Sequence, residues 1–287
     1  MTGGPGWQAA VAACQALLGA GFAETTRLSS APAVAVYRVR LLDRPHPVVV
    51  KLYAGRARRK ALLEQRAFTA LATGCGAFTV PRLHAAGPVP GFDVTALVLD
   101  DAGPSSLHDL LQSGARARGA ALHQLGWLLA AFHQQPHPPP QTPRVDVAGQ
   151  VAVLQRRLPA PVRGAARAVL ARAADHASAR PLVWCHGDLH PGNVLLPAHH
   201  DRPHLIDFEQ TVVAAAEYDL AQTIVTVDAF DPGEQDLLAG GYGPGLSPDL
   251  VAALVAFHTV RGWWWAALRE GRDASLWENR LRVVLRP

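Results

Sequence analysis

The chain has 287 residues and a formal net charge of +4, with 49% of positions apolar and 7% aromatic. That length can bury a substantial core and leaves room for two lobes, and the composition is that of a soluble globular protein rather than a disordered or fibrous one. The modest positive balance suits an anionic cofactor, and with no nucleic-acid-binding module in the sequence, no nucleic-acid partner is expected. Three cysteines, Cys14, Cys75 and Cys185, are scattered and odd in number, which argues against a disulfide framework and for a reducing, cytoplasmic setting. Met1–Ala20 lacks the basic start of a signal peptide. The apolar run Leu250–Leu268 is interrupted by His258, Thr259 and Arg261, so it reads as a buried helix rather than a membrane span.

Helical spacing over Trp7–Leu18 stops at Gly19, a C-terminal signal. Arg27–Leu41 reads as strand, turn, strand, with Ser29 and Ser30 opening the turn; exposed backbone N–H groups and hydroxyls there suit phosphate oxygens. Val48–Tyr53 is a β-branched strand with Lys51 inside it, and an ammonium in such a place is costly unless paired. Arg56–Leu71 follows as a helix whose one acid is Glu64, spaced to face inward towards Lys51. The basic run Arg56, Arg58, Arg59 and Lys60 reads as a solvated face. Thr95–Asp100 is a further strand, broken by Asp101-Ala-Gly-Pro. Helices are expected over Ser105–Leu111, Ala120–Gln134, Ala148–Arg157 and Pro161–Ala177. Proline density makes residues 135–143 irregular. The tail Pro248–Val284 is helical and rich in tryptophan, and three consecutive tryptophans, Trp263, Trp264 and Trp265, cannot all face one side of a helix.

The densest signal lies at residues 182–209. Two apolar runs, Leu182–Cys185 and Val194–Leu196, bracket a polar loop, and a third, Leu205–Ile206, ends in Asp207. Short apolar runs bounded by Gly, Pro and Asp read as buried strands. Asp188, Asn193 and Asp207 form an oxygen-only donor set, which suits a hard divalent ion such as Mg²⁺. Zinc is disfavoured: His186 and His190 are four apart but flank Pro191-Gly192 in a loop, and His199, His200 and His204 have no cysteine partners.

The spacing sharpens the reading. His186-Gly-Asp-Leu-His-Pro-Gly-Asn193 fits the H-x-D-L-x-x-x-N pattern of a kinase catalytic loop, and Asp207-Phe-Glu209 stands where D-F-G is expected. These motifs resemble those of the aminoglycoside phosphotransferase and choline kinase superfamily, the small-molecule relatives of protein kinases. Glu217-Tyr-Asp-Leu-Ala221 resembles the family's D-x-x-Y-D-L-A segment, in which the aspartate, here Asp219, braces the catalytic loop; its first position here is Ala215 or a neighbour rather than Asp.

The resemblance implies an α+β, bilobal protein-kinase-like fold: an N-lobe of antiparallel sheet plus helix over residues 1–99, a hinge at 100–103 and a mostly helical C-lobe over 104–287. It implies transfer of the γ-phosphate of ATP, or of GTP, to a hydroxyl of a small molecule. Asp188 would accept the hydroxyl proton, and Asn193 and Asp207 would hold Mg²⁺. Lys51, steadied by Glu64, would meet the α/β-phosphates; Ser29 and Ser30 would lie over the phosphates; the carbonyl of Asp100 and the N–H of Ala102 would read the base. The competing readings are a catalytically inactive nucleotide-binding homologue, a kinase of neutral sugars or other hydroxylated compounds, and a protein kinase. Joint retention of Lys51, Asp188, Asn193 and Asp207 argues against the first, and the missing D-F-G glycine and A-P-E-like segment against the last.

Residues 203–260 hold no Lys or Arg, yet contain Asp207, Glu209, Glu217, Asp219, Asp228, Asp231, Glu234, Asp236 and Asp249. That asymmetry points to a cationic acceptor, an aminosugar or amino alcohol, with Glu209 and Asp228 as candidate contacts and Trp263 as a cation–π partner. The protein is expected to act as a monomer or homodimer.

Overall fold

In the computed structural model, the residues described are 6–31, 33–73, 76–135, 138–196, 202–271 and 273–285. Pro32, Cys75, Pro136, His137, His199 and His200 fall outside them, as do the side chains of Ser30 and Arg269. The chain divides into two compact units, Met1–Ser106 with Asn193–Thr211, and Leu107–Gly192 with Val212–Pro287. This division differs from the sequence division in two places: residues 100–106 and Asn193–Thr211 both fall in the first unit.

The first unit is built on a five-stranded antiparallel sheet. After helix α1 (Trp7–Leu18) come β1 (Phe22–Ala31), β2 (Val34–Leu41) and β3 (Val48–Ala54), then helix α2 (Arg58–Ala70), β4 (Leu83–Pro88) and β5 (Val94–Asp100). The strand order is β1-β2-β3-β5-β4. Helix α1 ends as its sequence predicts, with Gly19 in the left-handed region at φ 67° and its N–H on the Cys14 and Gln15 carbonyls.

Strand alternation decides what each face of this sheet carries. Val48, Val50 and Leu52 of β3, with Val94, Ala96 and Val98 of β5, join Ala9, Ala10, Ala13 and Cys14 of α1 in one buried cluster. The alternate residues Tyr53 of β3 and Leu97 of β5 pack instead with Ala61 of α2 and with Ala57 just before it. Lys51, two residues from Tyr53, therefore lies on the α2 face, and so does the one acid of that helix, Glu64. A short antiparallel pair completes it: β7 (Val194–Leu195) pairs with β8 (His204–Leu205), in the register Val194 to Leu205.

The second unit is mostly helical. It contains α3 (Leu107–Leu111), α4 (Ala115–His133), α5 (Val147–Arg157), α6 (Ala160–Ser178), α7 (Ala216–Thr226), α8 (Pro232–Tyr242), α9 (Pro248–Trp264) and α10 (Ser275–Val284). Strands β6 (Leu182–Cys185) and β9 (Val212–Ala215) pair antiparallel within it. Helices α4 and α8 meet backbone to backbone: a Cβ on Gly126 would lie 1.9 Å from the Leu238 carbonyl oxygen, and one on Gly241 would lie 2.0 Å from that of His123. This close approach puts Tyr242, at the end of α8, against His133, at the end of α4. Helix α9 runs on into a π-helical turn, Trp265–Arg269. The three tryptophans divide as the helix period requires, Trp263 buried at 8% exposure and Trp265 exposed at 43%. Among the described residues, no helix is long and apolar enough to cross a membrane.

Candidate active site

Two sets of polar side chains stand out, one in each unit. In the first, Lys51 has 8% of its surface exposed and Glu64 none. The Lys51 ammonium donates to Glu64 Oε1 at 2.7 Å and to Asp207 Oδ1 at 2.9 Å. Glu64 also accepts the Tyr53 hydroxyl on Oε2 and the Phe208 N–H on Oε1 at 3.2 Å. Burial pushes the Glu64 carboxyl up, and the Lys51 charge opposes it. For Lys51 burial acts to lower the ammonium's pKa, but the carboxylates of Glu64 and Asp207 outweigh it and hold the group firmly protonated.

Asn193 and Asp207 sit at adjacent ends of the β7–β8 pair, where the Ile206 N–H donates to the Asn193 carbonyl at 3.1 Å. Asp207 has φ 67°, a left-handed conformation that a non-glycine residue adopts at a cost and that recurs at functional sites. It is followed by the 3₁₀ turn Phe208–Gln210. The fully buried Phe208 packs edge-to-face on Phe68 of α2, with ring centroids 5.1 Å apart.

These residues line a cavity of about 440 Å³ within the first unit. Lys51, Glu64, Asn193 and Asp207 form its polar side; Leu28, Val36, Val49, Leu99 and Ile206 form apolar walls. Ser29, Asp100 and Ala102 line it as well. Its size and its few polar groups on an apolar lining are those of a small-molecule or cofactor site. Ser29 and Ser30 are both part of β1, opposite Val36 and Ala35 of β2, and not of the turn itself. Beside Ala102, Asp101 takes a two-pronged pair from Arg38, at 2.6 and 3.0 Å, and its Oδ1 accepts the Gly103 N–H at 3.1 Å. Sequence reasoning passed over Tyr53, Arg38 and Asp101; only their partners mark them.

Asn193 and Asp207 offer oxygen donors of the kind Mg²⁺ takes, one amide and one carboxylate, and the Asp207 side chain is 35% exposed on the cavity.

In the second unit the loop after β6 carries Asp188, which is partly buried. Asp219 of α7 is fully buried and holds this loop by its backbone: the His186 N–H donates to Oδ2 at 2.7 Å and the Gly187 N–H to Oδ1 at 2.9 Å. Gln222 donates to the Gly187 carbonyl at 2.5 Å, and Thr223 to the Leu189 carbonyl at 2.8 Å. One face of α7 thus grips both sides of Asp188. His133 Nε2 lies 3.1 Å from Asp219 Oδ2, and His133 Nδ1 lies 2.9 Å from the Tyr242 hydroxyl. Burial by itself would raise the Asp219 carboxyl; the hydrogen bond and charge of His133, and the loop N–H groups, hold it below the usual carboxylate range. Cys185 lies beside His133 and Asp219, all three buried. Burial pushes its thiol well up, and the Asp219 oxygens are taken by N–H donors, so the trio reads as packed polar core rather than a metal site.

The acid-rich stretch finds its partners inside the chain. Lys60 holds Glu209 at 2.7 Å, and Arg180 holds Glu217 at 2.7 Å. Arg280 holds Asp228 at 3.0 Å, Arg118 holds Glu234 at 2.5 Å, and Asp231 caps α8. Cations from elsewhere in the sequence thus meet Asp207, Glu209, Glu217, Asp228 and Glu234, so the acid count by itself carries no argument for a cationic acceptor. Trp263 is buried, its indole N–H without a partner among the described residues.

Comparison with known proteins places this geometry. No curated protein sequence matches the chain. Solved structures do. The GDP and kanamycin complex of APH(2")-IIIa superposes with a TM-score of 0.74 at 13% identity, covering 97% of each chain. Choline kinase LicA from Streptococcus pneumoniae gives 0.65 at 16%, covering 92% of each. Macrolide 2'-phosphotransferase MphH from Brachybacterium faecium gives 0.66 at 17%, covering 98% of this chain and 99% of that one. At such identities the likeness is one of fold, and it agrees with the α+β kinase-like architecture read from the sequence. The profile of the Phosphotransferase enzyme family, APH, matches residues 25–270. This chain, with its buried Lys51–Glu64 pair, its Asp207 strand end and its Asp188 loop, belongs to that phosphotransferase family.

Proposed function

We propose that the protein transfers the γ-phosphoryl group of ATP, or of GTP, to a hydroxyl of a small amine-bearing molecule such as an aminosugar or amino alcohol. The observation that carries this reading is the cluster of Lys51, Glu64 and Asp207 on one side of an apolar-walled cavity of about 440 Å³. The nucleotide base would lie among the apolar walls, with main-chain groups of Asp100 and Ala102 at its edge. Lys51 would meet the α/β-phosphates, with Ser29 and Ser30 on the phosphate side. Asn193 and Asp207 would hold Mg²⁺, whose charge offsets that gathering on the β- and γ-phosphate oxygens.

Asp188 accepts the proton of the acceptor hydroxyl as its oxygen bonds to the γ-phosphorus and the bond to the β-phosphate bridging oxygen breaks, releasing the nucleoside diphosphate. General-base help of this kind contributes on the order of 10²–10⁴ in rate. In the loose transition state, positioning and charge neutralisation do most of the rest. The grip of Asp219, Gln222 and Thr223 on both flanks of Asp188 supplies such positioning. The amine in the acceptor rests on the relatives, whose names give kanamycin, spectinomycin and choline as bound ligands or substrates.

The test is a screen of aminoglycosides, choline, amino alcohols, macrolides and neutral sugars for acceptor-dependent release of ADP or GDP. Release with amine-bearing acceptors is expected. Binding of nucleotide without turnover of any acceptor would favour the inactive homologue, and release with neutral sugars alone would overturn the amine.

A further inference from the structure

Glu64 is the centre of the first unit's polar cluster, and its second oxygen is held by a residue the kinase pattern does not include. Tyr53 lies two positions after Lys51 on β3, so both side chains project from the same face. Its hydroxyl donates to Glu64 Oε2, while Glu64 Oε1 takes the Lys51 ammonium at 2.7 Å and the Phe208 N–H at 3.2 Å. The Lys51 ammonium also stands 5.6 Å from the centre of the Tyr53 ring. Tyr53 and Glu64 are both fully buried, so water has no access to substitute for the phenol.

A carboxylate without solvent is costly unless its lone pairs are met, and an orphaned oxygen would favour rotation or neutralisation of Glu64. Either change frees the Lys51 ammonium to close on its other partner, Asp207. We propose that Tyr53 is a positioning residue for nucleotide phosphate: by fixing Glu64 Oε2 it holds Lys51 divided between Glu64 and Asp207, where the ammonium can meet the phosphates. This deepens the reading above and rests on it. The phenol acts only through Glu64 and Lys51. It therefore governs affinity for the phosphates of the nucleotide and leaves affinity for the nucleoside alone.

The experiment compares calorimetric Kd values of the full-length chain for adenosine and guanosine with those for ATP and GTP in Mg²⁺, in the wild type and in Tyr53→Phe. The Phe variant keeps the ring and removes the hydroxyl. Expected is a roughly tenfold weaker triphosphate Kd, about 1.4 kcal/mol, with the nucleoside Kd within twofold. In a Glu64→Gln background the same substitution should add nothing further. If Tyr53→Phe does not fold, Tyr53→Leu serves instead. It likewise leaves Glu64 Oε2 without its donor while Lys51 and Glu64 are unchanged, and should lower the triphosphate-to-nucleoside preference equally. An unchanged preference in a folded variant, or equal loss for nucleoside and triphosphate, overturns the inference. So does an undiminished Tyr53→Phe effect in the Glu64→Gln background. A wild type that binds neither triphosphate overturns the functional reading itself, and this inference with it.

Discussion

Replacing Lys51 with Met keeps the length of the side chain and removes its charge. The variant leaves Glu64, with no exposed surface, beside Asp207, at 35% side-chain exposure, without their shared cation. Breaking such a buried pair by deleting one partner costs about 3–5 kcal/mol. The structure sets its own ceiling, because Glu64 can escape by taking up a proton. From its ordinary pKa of 4.5, neutralisation at pH 7.5 costs about 4 kcal/mol, at about 1.4 kcal/mol per unit. Burial already pushes that pKa up, which lowers the cost below the ceiling.

Spread over the unfolding entropy of a 287-residue chain, about 0.6 kcal/mol per degree, that ceiling corresponds to a fall in Tm of about 7 °C. The fall should shrink as the pH is lowered towards 5, because the proton becomes easier to supply. The assay is thermal melting of wild type and Lys51→Met at pH 7.5 and 5.5, beside acceptor-dependent turnover, which should drop by about 10²-fold or more, near 3 kcal/mol of lost charge complementarity. A folded variant with the Tm and turnover of the wild type at both pH values would refute the argument that Lys51 is a buried, shared cation.

Three further outcomes are expected. Asp207→Asn, chosen because asparagine tolerates the left-handed conformation at φ 67°, should weaken Mg·ATP binding, while Asp188→Asn should leave binding intact and abolish turnover; equal loss of affinity in both, by calorimetry, would separate neither role. Buried His258 donates from Nε2 to the Tyr218 carbonyl at 3.0 Å, and burial, then the Arg261 charge, hold its pKa well below 6.5. The unfolded chain therefore takes up the proton first, so stability is complete above pH 6.5 and declines as the pH falls below it. The slope approaches 1.4 kcal/mol per unit, and denaturant titrations of wild type and His258→Gln at pH 7.5, 6.0 and 5.0 should show it only in the former. Gly126→Ala would drive a methyl to 1.9 Å from the Leu238 carbonyl oxygen, forcing α4 from α8 at a cost of about 1–3 kcal/mol or more, read as a lower Tm.

The parts of this protein that were legible from sequence are those whose signal is local. A helix ending at Gly19 announces itself by the glycine that takes the left-handed turn. The loop around Asp188 and Asn193 is contiguous and rich in Gly and Pro, so residue identity and spacing specify it without reference to any distant partner. Lys51 inside the β-branched run Val48–Tyr53 announces a charge that needs a partner, and the resemblance to the kinase pattern, with Glu64 the one acid of the following helix, implies which.

What the tertiary structure alone decided is which distant groups complete those sites. Tyr53 reaches Glu64 across 11 positions, Phe208 reaches it across 144, and His133 meets Asp219 across 86. No spacing rule covers such separations, because they are set by how helices pack on strands rather than by the period of either. The acid-rich run 203–260 is the clearest case. Composition sees only an excess of carboxylates, whereas the fold brings Lys60, Arg118, Arg180 and Arg280 to them from elsewhere in the sequence. Charge along a chain is additive, but the potential at a site depends on which charges packing brings within a few ångströms, and that belongs to the folded state.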